Sequence, residues 1–140
     1  MTATPTTEAR PSTKAGPFSL ARLGLVAVIA AIANALVFVI GSAAGASMSI
    51  DSPAYSQITL VMATFATLAP LLIAGVVAWL IARKVPGFRR VAQWLGLAVA
   101  LLSMISPFVV AQDTATAISL AAMHLVAGAA WFLGVARRSN

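Results

Sequence analysis

Four long apolar runs constrain the fold of this chain more than any other feature. They cover approximately residues 23–46, 57–82, 91–110 and 114–136. Each run has about 20 residues or more, and a helix that rises about 1.5 Å per residue then crosses a hydrocarbon layer about 30 Å thick. Because lipid offers no hydrogen-bond partner to the backbone, a run that crosses it has to be helical. The alternation expected of membrane-barrel strands is absent.

The composition favours the same environment. The chain of 140 residues is 61% hydrophobic and 9% charged, whereas soluble domains are about 45–50% apolar and about 25% charged. A soluble protein of this length has too little interior to bury so much apolar surface. The lack of cysteine excludes disulfides and thiolate metal sites and leaves the redox compartment open. The sequence therefore predicts an all-α integral membrane protein, a four-helix bundle.

The connections and their charges predict the topology. Short connections at about residues 47–56, 83–90 and 111–113 make successive helices antiparallel, up-down-up-down. All nine Lys and Arg lie in the N-terminal tail, the second connection or the C-terminal end, whereas the first and third connections carry only Asp51 and Asp113. Basic flanks stay in the cytoplasm. We expect a multi-pass protein of the cell (plasma) membrane with cytoplasmic N and C termini, and we interpret the net charge as topology, not as nucleic-acid binding.

The chain divides into a tail and one domain. Residues 1–19 are rich in Thr, Pro, Ala and Ser and lack an apolar period, so we expect a disordered basic tail. Residues 20–140 form the predicted four-transmembrane-helix domain. The triplet Ala44-Gly45-Ala46 after the first run resembles a signal-peptide cleavage site. The long basic tail and the length of the run favour a helix that is retained.

Polar residues and prolines recur at one depth of the runs. Asn34, Ser103 and His124 each lie about 12 or 13 residues from the basic residue that ends their run, about 18–20 Å along a helix. We expect a buried mid-membrane polar layer in which neutral His124 bonds Asn34, Ser103 or a freed carbonyl. Pro70 and Pro107 are predicted helix kinks, because each leaves the carbonyl four residues earlier without its usual partner.

His124, the only histidine, has functional alternatives as well. It could be a proton relay, a haem ligand or half of a catalytic pair with Ser103. The apolar runs contain no acid for a relay, and a haem with two axial histidines would need a second copy of the chain. The sequence also lacks a nucleophile-elbow pattern around Ser103. We therefore expect a structural His124, with no catalytic, cofactor-binding or metal residue and no cofactor.

A G-x-x-x-G pattern closes the first run. Gly41 and Gly45 would let two helices approach closely in lipid. Such a motif serves either a dimer interface or packing within the chain. We favour packing within the chain, because four helices need contacts with one another.

The stretch "LLSMISPFVVAQDTATAISLAAMHLVAGAAWFLGVARR", residues 101–138, resembles the four-helix membrane proteins of actinobacteria grouped as domain of unknown function 6069. The resemblance implies a membrane location and assigns no catalytic role to His124. The sequence motifs that match lie in the last two predicted helices. The number and arrangement of the helices match over all four. The residues that carry it are Leu102, Ser103, Pro107, Thr114, Thr116, Met123, His124, Leu125, Val126 and Gly134.

These observations predict a small, non-enzymatic membrane protein with an accessory or interaction role. Its partners would be the lipid bilayer and either another membrane protein or further copies of itself. One alternative is an oligomeric transporter of small solutes or drugs, although small multidrug transporters need an acid within the membrane, which the runs lack. Another alternative is a membrane enzyme or haem protein that uses His124.

Overall fold

The chain folds into four long antiparallel helices, and the third is divided in two. A computed structural model describes residues 18–136. The two pieces of the third span together cover Phe88–Val110, and all four spans are long and apolar enough to cross a membrane. The predicted all-α, up-down-up-down fold is confirmed. The helices are α1 Leu20–Ala43, α2 Leu60–Lys84, α3 Phe88–Ser103, α4 Ser106–Val110 and α5 Thr114–Val135.

The packing order leaves one side of the bundle open. Helix α1 packs against α5 and α2, and α3 packs against α5. Helix α2 meets α3 much less extensively. Within residues 18–136, no Cα atom of α2 comes within 8 Å of a Cα atom of α4. The bundle is therefore separated between α2 and α4.

One end of the bundle carries the described cations and most of the core. We call it the basic end, and it includes Arg22 and Arg89. Five of the ten core residues there are alanines, which lets the helices approach closely. The indole Nε1 of Trp131 donates to the carbonyl oxygen of Ala92 at 2.8 Å, and a Cβ atom on Gly96 would collide with that indole. The core consists of Phe18, Leu23, Ala27, Ala30, Leu71, Ala78, Ala92, Ala130, Trp131 and Val135.

Side chains of α1 and α3 bind the last carbonyls of α5. Arg22 donates to the carbonyl of Ala136 at 3.5 Å, and Arg89 donates to that of Val135 at 3.4 Å. The amide of Gln93 donates to another carbonyl in the last turn at 3.0 Å. A helix C-terminus has four carbonyls without intrahelical partners and a partial negative charge, so cationic donors are favourable there.

The opposite end, which we call the loop end, consists of the α1–α2 loop, residues 44–59, and the turn 111–113. Helix α1 ends earlier than predicted, at Ala43, because Gly45 adopts the left-handed conformation with φ 95°. The amide of Ala46 donates to the carbonyl of Gly41 at 2.9 Å, and that of Gly45 donates to Ser42 at 3.1 Å. This pattern is a Schellman cap.

The two glycines of the predicted G-x-x-x-G pattern, Gly41 and Gly45, therefore do not lie on one face of a helix. Gly45 lies beyond the helix, in its cap. Gly41 lies on α1 and faces α5, since an added Cβ atom would collide with the Ser119 hydroxyl. The close approach at Gly41 is thus a contact within the chain.

Backbone hydrogen bonds order the α1–α2 loop. Ile58 donates to the carbonyl of Met48 at 2.8 Å, and Asp51 donates to that of Val110 at 2.7 Å. Because residue 57 pairs with this loop, α2 starts later than the predicted 57. Its N-cap is Thr59, whose hydroxyl accepts from an amide of the first turn.

Pro107 divides the span that we predicted as one helix over 91–110. Its nitrogen has no proton to donate to the carbonyl of Ser103, where α3 ends, and α4 begins at Ser106. Pro70 has a weaker effect, because α2 stays continuous around it. The span also starts earlier than predicted, at Phe88.

The tail that we predicted to be disordered covers residues 1–19, and residues 1–17 lie outside the described residues. Its last two residues belong to the fold. Phe18 is buried in the core, and the Ser19 hydroxyl accepts from the amide of Arg22 at 3.2 Å, which caps α1.

Asp113 connects the α1–α2 loop to the start of α5 at the loop end. It caps α5, with its Oδ1 accepting from the amide of Thr116 at 2.7 Å. Its Oδ2 accepts from the hydroxyl of Ser47 at 2.5 Å and from that of Thr116 at 2.7 Å. The Thr116 hydroxyl in turn accepts from the amide of Met48 at 2.9 Å. Hydrogen bonds from Ser47 and then from Thr116 hold the pKa of Asp113 well below its usual range.

This pKa shift predicts a pH-dependent stability. An aspartate with a lowered folded-state pKa stabilises the fold above its unfolded pKa of about 3.9, and this contribution disappears as the pH falls towards the folded-state value. We expect Asp113→Asn to lower the melting temperature in detergent at pH 7, and the difference from the wild type to shrink as the pH falls below about 4. Asp51→Asn, at an exposed position of the same end, is the control. A difference that stays constant from pH 7 to pH 3 would contradict the prediction.

Candidate functional site

Asn34 lies at the middle of the bundle and connects three helices. Its side chain is 1% exposed. The amide Nδ2 donates to the hydroxyl of Thr67 on α2 at 2.7 Å and to the carbonyl of Met123 on α5 at 3.2 Å. The Thr67 hydroxyl donates its own proton to the carbonyl of Ala63 at 2.8 Å. Both neighbours of the amide nitrogen therefore act as acceptors, which defines the orientation of the amide.

The other amide atom of Asn34 has no such neighbour. Its Oδ1 is buried and accepts no hydrogen bond from the part of the chain that the structure describes. A buried acceptor without a partner costs about 1–3 kcal/mol. Asn34 is thus both the central polar contact of the bundle and the holder of an unsatisfied acceptor.

His124 lies near the middle of α5 and is half-buried. Its ring Nδ1 is 2.8 Å from the carbonyl oxygen of Leu120, one turn earlier. Since a carbonyl only accepts, Nδ1 carries the proton in this contact. In the neutral ring, Nε2 is then an acceptor, and it has no hydrogen-bond partner within residues 18–136.

Ser103 does not join these residues. Its hydroxyl donates to the carbonyl of Val99 at 2.7 Å, within its own helix. The three residues of the predicted polar layer therefore have different kinds of hydrogen-bond partner in the structure. Asn34 bonds Thr67 and a backbone carbonyl, whereas His124 and Ser103 each bond the backbone of their own helices.

Thr67 is the member of the layer that sequence reasoning missed. The second run was represented in the sequence analysis only by Pro70, as a helix kink, and Thr67 lies about one turn from it. A Thr in an apolar run commonly bonds its own helix backbone, as Thr67 does to Ala63. Its second role, as the acceptor for Asn34, depends on which side of α2 faces α1, and that is a tertiary property.

A cavity of about 360 Å³ lies between this polar contact and the α1–α2 loop. Asn34, Thr67 and His124 lie in its wall, together with Ile50 and Tyr55 of the loop. The remaining wall is mainly apolar. Its other lining residues are Ile58, Met62, Ala63, Ala66, Ser106, Pro107, Val110, Leu120, Met123 and Ala127.

The described residues contain few groups for chemistry in this cavity. Within residues 18–136, no three His, Cys, Asp or Glu side chains lie close enough to hold a metal ion. Asp113 lies at the loop end, where its carboxylate binds Ser47 and Thr116. What the cavity offers is an apolar surface with a few hydrogen-bonding atoms.

Comparison with known proteins gives one match. A family model described as a family of unknown function, DUF6069, matches residues 15–140. The chain belongs to this family. The match spans all four helices, so the resemblance inferred from residues 101–138 is confirmed over nearly the whole chain. No curated protein and no solved structure matches the chain. Because the role of the DUF6069 family is unknown, any functional conclusion has to come from the geometry.

The Asn34–Thr67 contact yields a stability prediction. Thr67→Val keeps the shape of the side chain but removes the acceptor for Asn34, so we expect it to lower the free energy of unfolding by about 1 kcal/mol. The control is Thr64→Val on the same helix, because the Thr64 hydroxyl bonds only the Leu60 carbonyl of its own helix, at 2.8 Å. Unfolding in mixed micelles, followed by far-UV circular dichroism, measures both. Equal effects of the two variants would contradict a special role for the Asn34–Thr67 contact.

Proposed function

We propose that the protein is a non-enzymatic accessory protein of the cell membrane, which spans the bilayer four times and acts by contact with another membrane protein. Both termini would lie in the cytoplasm. The observation that carries this proposal is that the polar groups in the middle of the bundle bond one another or their own backbone. The bonds of Asn34 hold helices together, whereas Ser103 and His124 bond their own helices. These groups do not assemble an acid, a base and a nucleophile.

The charge distribution supports the orientation. The cations of the described residues lie at the basic end, and they are Arg22, Arg83, Lys84, Arg89 and Arg90. Asp51 and Asp113 lie at the loop end. A bilayer protein with this asymmetry keeps its basic end in the cytoplasm.

The geometry around His124 supports a non-enzymatic role. General acid–base catalysis needs a second group within hydrogen-bond reach of the proton that moves. The Nδ1 atom of His124 bonds the Leu120 carbonyl, which neither takes up nor releases a proton. Asp51 and Asp113, the described acids, belong to the loop end.

The third span supports an interaction role. It is the least enclosed of the four spans, and Leu102 on α3 is 68% exposed. In lipid, helices associate through close packing, so an open span is available to a helix of another protein.

Cysteine labelling tests the orientation, because the chain has no cysteine of its own. We would introduce Ser52→Cys at the loop end and, separately, Val85→Cys in the exposed α2–α3 connection. A maleimide that does not cross membranes should label Ser52→Cys in intact cells. It should label Val85→Cys only after permeabilisation. The reverse pattern would refute cytoplasmic termini.

Site-specific photocrosslinking tests the interaction. A photoreactive amino acid at Leu102 of α3 should give one discrete protein adduct in native membranes. The matched position is Ile73 on α2, which is 66% exposed and should give none. An adduct of twice the mass of the chain would identify a homo-oligomer in place of another protein. The absence of a protein adduct at both positions would contradict the accessory role.

A further inference from the structure

We propose that the cavity between α2, α4 and α5 binds a small molecule that is dissolved in the bilayer, mainly apolar, and equipped with a hydrogen-bond donor such as a hydroxyl group. This site does not depend on the accessory role proposed above. It rests on the volume of the cavity, on His124 in its wall with an Nε2 atom that has no described partner, and on the separation between α2 and α4.

The size and lining of the cavity fit a ligand. Its volume of about 360 Å³ falls within the range of about 300–1,000 Å³ that is typical of small-molecule sites. Protein interiors normally contain few voids larger than a water molecule. The basic end obeys this rule, since Gly75, Gly96 and Gly134 each pack so tightly that a Cβ atom would collide with a neighbour. Gly41 packs equally tightly against α5 at the loop end. The open space is therefore a local feature of the region that α2, α4 and α5 line.

The polar atoms in the cavity wall favour a ligand that carries a hydrogen-bond donor. Asn34 uses its Nδ2 for Thr67 and Met123, which leaves Oδ1 as an acceptor without a described partner. His124 uses Nδ1 for Leu120, which leaves Nε2 as an acceptor. Because Oδ1 has less than 1 Å² of accessible surface, the atom left for a ligand is Nε2 of His124. A hydroxyl or N–H group on a ligand would bond Nε2 and remove the cost of an unpaired acceptor in an apolar surrounding.

The separation of the helices indicates the route of entry. Helices α2 and α4 both line the cavity, yet no pair of their Cα atoms lies within 8 Å. Ala66 on α2 and Ser106 on α4 are lining residues that are also exposed. An opening between two membrane-spanning segments faces lipid, so the ligand would enter sideways from the bilayer.

The α1–α2 loop closes the cavity at its other side. Ile50, Tyr55 and Ile58 of the loop line it, and the backbone bonds of Ile50 and Ile58 keep this segment in place. A binding surface that is already ordered loses little conformational freedom when a ligand binds.

The single histidine gives a direct measurement. With ¹⁵N-labelled histidine and a purification tag that contains none, the ring signals of the protein in lipid nanodiscs report on His124 alone. We would titrate 1-octanol, n-octane of similar size without a donor, and glycerol, which stays in water. We expect 1-octanol to shift the Nε2 resonance saturably. We expect octane and glycerol to leave it in place.

Two variants locate the binding. Ala127→Phe fills the cavity from its wall, and we expect it to weaken the 1-octanol response at least tenfold. The matched control is Ala129→Phe, at an exposed position of the same helix, which should keep the wild-type response. If Ala127→Phe fails to fold, Ala66→Leu fills the cavity from α2 and tests the same point.

The outcomes separate the alternatives. A linear response to 1-octanol without saturation, or an undiminished response in the cavity-filling variant, would overturn the site. An equal Nε2 shift with glycerol would overturn entry from the bilayer, and an equal shift with octane would overturn recognition of a donor. None of these results depends on whether Leu102 crosslinks to a partner protein.

Discussion

The inability of lipid to form hydrogen bonds explains most of this structure. Each backbone and side-chain polar group within the spans needs a partner inside the protein. Asn34 meets this demand by donating to α2 and α5 at once, so one amide fixes the relation of three helices. Ser103 and His124 meet it locally, through carbonyls one turn earlier. The difference matters, because a local bond leaves a helix free to move and a bond between helices does not.

The two ends of the bundle are built on different principles. At the basic end, alanines and glycines let the helices approach closely, and Trp131 fills the space that remains. At the loop end, hydrogen bonds supplement the close packing at Gly41, where an added Cβ atom would collide with Ser119. The carboxylate of Asp113 and the backbone of the α1–α2 loop hold the helix ends, and Pro107 shortens α3. A helix that is interrupted by proline packs less continuously against its neighbours, so the cavity lies on the side where the third span is divided.

The helices and the antiparallel order could be predicted because they depend on run length and on connection length, which are properties of the sequence itself. The ends of the helices were less predictable. Gly45 could be a packing residue or a helix cap, and the choice depends on whether Ala46 donates back to Gly41. The hydrogen-bond partners within the polar layer were hard to predict for a related reason. Counting residues gives the depth of Ser103 along its helix but not the direction of its side chain. Thr67, one turn from Pro70, points towards Asn34 instead.

The unpaired Oδ1 of Asn34 shows what the central contact of this fold costs. The bundle needs the Nδ2 group to connect its helices, and an amide always brings an oxygen with it. Leu or Ala at this position would remove the unsatisfied acceptor, but it would also remove the bonds to Thr67 and Met123. Because Oδ1 has less than 1 Å² of accessible surface, the fold carries this cost for the two bonds that Nδ2 forms. The contact that holds the helices together also forms part of the cavity wall, beside His124.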